Sequence, residues 1–214
     1  MMTLYKSLIR SRLEYCSALW NPSKQEDIIT LESVQRNFTS RIAGLSDYSY
    51  HERLKRLNIL SLQRRRERFI IITMWKILNN ISPNDLNFKT THSNRRGIKV
   101  KVPPLQKEAS QRAQSLYEAS FGVVGPKLWN TLPRYLTIIT KKNTFKTNLS
   151  KYLATIPDRP PVDGISSHNS LLDINRLQVI SSGGRAPAVA AAAVVPTTAA
   201  ATSAEDYDDP HQTH

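Results

Sequence analysis

Residues 61–78 read SLQRRRERFIIITMWKIL, and the fold class turns on whether this stretch is a helix. Phe69, Ile70, Met74, Ile77 and Leu78 return at steps suited to one helical face. Coiled that way, Arg64 and Arg68 share one edge, with Arg65 and Arg66 around the turn. The following Asn79-Asn80-Ile81-Ser82-Pro83-Asn84-Asp85 loads turn residues together and ends the helix.

Upstream the same periodicity persists. Ile28, Leu31, Val34, Phe38 and Ile42 place an amphipathic helix over 27–42, with Gly44 positioned for a left-handed terminating residue. Ser49-x-x-Glu52 is a capping box that opens a short helix, turning Tyr50, Leu54 and Leu57 inward. Leu4 to Pro22, LYKSLIRSRLEYCSALWNP, is a compact helical segment that ends in Trp-Asn-Pro. The first 82 residues therefore form a small helical bundle.

Downstream the pattern changes. Gly97-Ile-Lys-Val-Lys-Val-Pro103 alternates apolar and basic residues, as one exposed short strand does, with Ile98, Val100 and Val102 on one face and Lys99 and Lys101 on the other. SFGVVGPKLWNTLP, 120–133, is turn-rich but carries aromatic and leucine side chains that pack onto a core. Asn143 caps a last helix through Phe145, Leu149, Tyr152 and Leu153. From Pro157 the Pro-, Gly- and Ala-rich composition has little to bury, so 157–214 reads as a disordered tail. The expected architecture is mainly α over 1–82, irregular α+β over 83–156, then the tail.

The 214 residues carry a net charge of +13. Residues 1–156 hold 27 Lys and Arg against 10 Asp and Glu, whereas 157–214 hold 3 against 7. A body this basic points to a polyanionic partner, nucleic acid before a membrane surface. The lone Cys16 excludes an internal disulfide and fits a reducing compartment. No secretory leader opens the chain, and no apolar run approaches the ~20 residues that span a bilayer. The expected location is intracellular, nuclear or cytoplasmic, with no membrane partner and no secretion.

An ordered series of short motifs resembles one protein type. Leu4-Tyr5-Lys6-Ser7-Leu8-Ile9-Arg10, Leu13-Glu14-Tyr15-Cys16, Trp20-Asn21-Pro22 and Val34-Gln35-Arg36-x-Phe38 open it. Tyr50-x-Glu52-Arg53-Leu54, Leu60-Ser61-Leu62-x-x-Arg65-Arg66 and Lys76-Ile77-Leu78-Asn79 continue it. Phe121-x-x-x-Gly125-Pro126-x-Leu128-Trp129-Asn130-x-Leu132-Pro133 and Phe145-Lys146-x-x-Leu149 close it. Over 1–153 the chain resembles the reverse transcriptase of non-long-terminal-repeat (LINE) retrotransposons of the jockey and chicken-repeat kind. In that family these motifs follow the polymerase palm, in the thumb and the region after it. The resemblance thus implies a thumb-like 1–82 and a post-thumb 83–156, in a chain that begins where the catalytic part would have ended.

Phosphoryl transfer needs two metal ions held by closely placed carboxylates. The family's Tyr-x-Asp-Asp turn and its partner aspartate are not recognisable here. Asp206-Tyr207-Asp208-Asp209 lacks the intervening residue and the flanking strands such a hairpin needs. The five histidines show no metal-ligand spacing with one another or with Cys16, and no Gly-rich phosphate loop occurs. The expectation is a non-catalytic chain with no cofactor and no metal.

The candidate binding residues are cationic. Arg64, Arg65, Arg66 and Arg68 would run along the phosphates of RNA or DNA, as a thumb helix lays such a row, or else form a solvated helix face. Arg95, Arg96, Lys99 and Lys101 form a second cluster, on a loop and an edge strand; lysine there also serves simply to prevent sheet association. Lys141, Lys142 and Lys146 are a third, at a helix start where positive charge opposes the dipole. Trp20, Trp75 and Trp129 sit among apolar neighbours and read as core. The alternative function is a translated transposon remnant, without activity or recruited as a protein-interaction module through exposed apolar surface.

Overall fold

The computed structural model describes residues 2–22, 24–93, 97–104, 110–162 and 169–173. It is mainly helical, with one small two-stranded sheet. A continuous helical segment comes first, as α1 (Met2–Leu4), a π-helical stretch (Tyr5–Arg10) and α2 (Ser11–Glu14). Then come α3 (Gln25–Ser40), α4 (Tyr50–Arg56) and α5 (Leu62–Leu78). The Ser49–Glu52 capping box forms as expected, and Gly44 takes a φ of +76°.

The arginine-led helix, α5, is the centre of the molecule. Its C-terminal two-thirds buries Ile70, Ile71, Ile72, Met74, Trp75 and Ile77. Against these pack Leu128, Trp129, Leu132, Leu136, Phe145, Leu149 and Leu153 from the later helices. Trp75 stacks on Phe145 with centroids 5.4 Å apart, and Trp129 tilts against the same ring at 6.0 Å. Each indole N–H finds a carbonyl: Trp75 Nε1 donates to Ile139 O and Trp129 Nε1 to Ile98 O. The change of pattern after residue 82 is therefore no gap in the core, because both sides share one hydrophobic cluster.

Three local expectations are corrected. The turn-rich 120–133 folds as helix α7 (Phe121–Thr131), preceded by α6 (Gln111–Ala119) and followed by α8 (Arg134–Thr137). Gly125 explains the composition: a Cβ there would lie 2.8 Å from Met74 Sδ, so the glycine lets α7 pack close to α5. Pro126 removes one intrahelical bond, a local cost that packing overrides. Asn143 does not cap the last helix, α9 (Lys142–Thr155); Lys141 precedes it with no side-chain cap. The strand over Gly97–Val100, β2, is not solitary either. It pairs antiparallel with β1 (Thr90–Ser93), Thr91 opposite Lys99 and His92 opposite Ile98.

The tail boundary also moves. Residues 157–162 and 169–173 form a strap over the start of α5, and Leu171 lies fully buried in the common core. Composition hid this because the strap is held by polar groups rather than an apolar run. The expectation of disorder for 163–168 and 174–214, the Asp206–Asp209 cluster included, lies outside the described residues.

Candidate functional site

Local chemistry fixes the first turn of α5. Ser61 Oγ accepts the Arg64 N–H at 3.0 Å, and the Asp158 carboxylate receives both the Ser61 N–H and its hydroxyl at 2.7 Å. Glu32, from α3, accepts the Gln63 N–H at 2.7 Å. Two carboxyl groups thus accept N–H donors at the positive end of this helix, which favours their charge, but for Glu32 burial outweighs that gain.

The arginine run does not present one exposed row. Arg64 is fully buried and points under the strap, its Nη2 donating to Asn169 O at 2.8 Å and Pro157 O at 3.2 Å. Arg65 makes a two-pronged pair with Glu14. Arg66, also buried, donates to Leu13 O, Trp20 O and Asn21 Oδ1, with its guanidinium 3.8 Å over the Trp20 ring. Arg68 is half-buried and reaches Ser150 Oγ at 3.3 Å. The expectation of Arg64 and Arg66 on a phosphate-facing edge is corrected: their donors tie together the first helix, α5 and the strap. A planar guanidinium can satisfy several carbonyls at once, which suits it to this use.

Beside the run is a cleft of about 340 Å³, lined by Glu32, Arg66, Glu67, Lys127 and apolar side chains. Both glutamates are buried, and that burial pushes each carboxyl up to about 7. Each is already engaged. Glu32 receives the Tyr50 hydroxyl at 2.7 Å; Glu67 Oε1 receives Ser170 Oγ at 2.7 Å and the Leu171 N–H at 3.0 Å.

The second predicted cluster fares differently. Arg95 and Arg96 lie outside the described residues. Lys99 is half-buried and its Nζ donates to Asn130 O at 2.6 Å, an uncharged acceptor. Lys101 is exposed, and its N–H extends the ladder to the carbonyl of Lys89, a further exposed cation. Asn130 pairs with both the N–H and the carbonyl of Val100, so one edge of the hairpin is closed by a side chain. Arg134 packs on Gly97, whose φ of +71° and closeness to Thr137 leave no room for a Cβ.

One signal in the sequence marks this region and concerns the acids rather than the bases. Residues 86–104 and 119–157 contain no Asp or Glu, and the whole of 86–157 holds 13 Lys and Arg against Glu108 and Glu118. Lys89, Lys101, Arg134, Lys141 and Lys142 are exposed there. Of the tryptophans, Trp75 and Trp129 are core, whereas Trp20 is 43% exposed. Among the described residues no group of three or more His, Cys, Asp or Glu stands together for a metal ion, and no helix is long and apolar enough to cross a membrane.

No protein-family model matches the chain, and neither a curated protein nor a solved structure matches it.

Proposed function

We propose that this protein is a non-catalytic nucleic-acid-binding chain that grips the phosphate backbone through its second half. The observation that carries this reading is the acid-poor stretch 86–157, whose hairpin and following helices expose Lys89, Lys101, Arg134, Lys141 and Lys142. Cations without neighbouring carboxylates keep their field outside the protein, which is what backbone binding needs. The motif resemblance to the thumb and post-thumb regions of a retrotransposon reverse transcriptase agrees with this reading. The reading moves the grip from Arg64–Arg68 to Lys101 and the other exposed cations of this stretch; Arg95 and Arg96 lie outside the described residues. RNA, DNA or a hybrid duplex would be held with little sequence preference, because phosphate contacts position without specifying.

The test is the salt dependence of binding to a short RNA–DNA hybrid and to duplex DNA of the same length. Removing one phosphate-binding cation should reduce the log–log slope by about 0.9 on B-form DNA. Lys89→Ala, Lys101→Ala and Lys142→Ala together should flatten the slope by about two to three, with the melt unchanged. A slope unaltered in that variant, or affinity no greater than that of an unrelated protein of equal charge, overturns the reading and favours an inactive remnant.

A further inference from the structure

Helix α8 is short, and its buried residues fix which way the others point. Leu136 lies fully buried in the common core, and Thr137 is buried beside it, its hydroxyl donating to the Arg134 carbonyl at 3.0 Å. At about 100° per residue, Arg134, Ile138 and Tyr135 fall on the opposite arc, in that order around the helix. Their exposure agrees: Tyr135 is 52% exposed, Ile138 55%, and Arg134 is exposed between the hairpin and solvent. Among the described residues no ring stacks on Tyr135 and its hydroxyl makes no hydrogen bond. Ile138 also forms the lip of a recess of about 100 Å³ beside the hairpin, where Thr90, His92 and Thr140 add exposed polar groups.

The charge around this face suits a polyanion. Residues 119–157 contain no acid, Arg134 shares the arc of Tyr135, and exposed Lys141 follows Ile138 by three residues. That separation is at most about 11 Å of chain. A flat exposed ring adds little to the grip on a duplex, whose bases stack on one another and show only their edges and phosphates. An unpaired strand has open base faces, and these stack on aromatic side chains whatever the sequence. We infer that this face binds unpaired RNA or DNA, with Tyr135 the stacking platform for one base and Arg134 and Lys141 on the flanking phosphates. The inference rests on the backbone-binding reading above and narrows it to strands with open bases. Leu136 holds α8 on the core, so the platform is fixed before the strand arrives, which favours affinity.

The test uses the full chain and three probes of equal length, about 12 nucleotides: oligo(dT), an abasic strand with the same phosphates, and duplex DNA. The first two differ only in their bases. Oligo(dT) should bind about tenfold more tightly than the abasic strand. Tyr135→Ala should erase that difference while leaving the salt slope and the duplex affinity as they were. Tyr135→Phe should bind as the parent does, because the hydroxyl has no partner to lose. Tyr135→Leu, which keeps apolar bulk without a flat ring, should bind as the alanine variant does. All three change a half-exposed side chain and should melt as the parent does. If the parent holds oligo(dT) and the abasic strand equally, or if the alanine or leucine variant keeps the difference, the inference is overturned and the backbone reading stands. Binding that ignores salt, or none to any probe, would overturn the backbone reading and this inference with it.

Discussion

The two halves of this molecule hold nearly the same number of cations, but the arginine run of the first and the exposed lysines of the second are put to opposite uses. Residues 1–85 have 14 Lys and Arg with 8 Asp and Glu; residues 86–157 have 13 with 2. In the first half Arg64, Arg65 and Arg66 turn inward, onto carbonyls of 13, 20, 157 and 169 and the carboxylate of Glu14. In the second, Lys89, Lys101, Lys141 and Lys142 stay in water. A run of arginines is therefore no guide to a surface by itself. The acids and backbone carbonyls within its reach decide whether it becomes a staple or a patch.

The sharpest way to break this comparison is to remove a staple. Arg64→Ala leaves Asn169, the Pro157 carbonyl and Glu67 without their buried cation, 3.8 Å from the nearer Glu67 oxygen. Breaking one partner of such a buried set costs about 3–5 kcal/mol. Urea denaturation should show that loss as a lowered midpoint. A loss below about 1 kcal/mol, typical of surface pairs, would mean that Arg64 belongs outside after all.

Next in size is the strap. Leu171→Ala should cost about 2–5 kcal/mol if its side chain fills the shared core. Protection of α5 amides from hydrogen exchange should fall with it. An unchanged midpoint would return residues 169–173 to the tail.

Much of the helical half was legible because local signals agree there: 3.6-residue periodicity in α3 and α5, and a capping box before α4. What was missed had tertiary causes. The glycines of α7 read as turn residues until Met74 is set against Gly125. Strand β1, Thr-Thr-His-Ser, has no apolar alternation, and Thr90, Thr91 and His92 are all exposed. The strap was hidden by Asp158 and Asn169, whose value lies wholly in what they reach: Ser61, Gln63 and Arg64. The proposed basic surface was half legible, since Lys101 stood out by alternation while the stronger signal was the absence of acids along 86–157.

The staples also give the helical half a pH dependence. Glu32 and Glu67 titrate near 7 because burial disfavours their charge, against an ordinary 4.5. A carboxyl raised on folding binds its proton more tightly in the native state. Its contribution is complete below the unfolded value and is lost as pH rises through the folded one. Melting temperature should therefore fall by several degrees between about pH 5 and pH 8. Glu67→Gln should remove part of that slope; a melt that rises over this interval would show that the carboxylates are held ionised instead.

The smallest expected change in stability belongs to the second half, and it is the most discriminating. Lys101→Ala alters an exposed side chain and should shift stability by no more than about 0.5 kcal/mol. Its backbone N–H remains on the Lys89 carbonyl at 2.9 Å, so the ladder keeps its last bond. If the residue faces phosphate, nucleic-acid affinity should nevertheless drop and lose about one unit of salt slope. Stability and binding would then separate cleanly between the halves: Arg64→Ala moves the melt first, and Lys101→Ala moves only the slope. A Lys101 variant that lost stability and kept its salt dependence would invert the assignment, making the hairpin lysine structural and leaving the polyanion to the exposed cations of α9 and the loop before it.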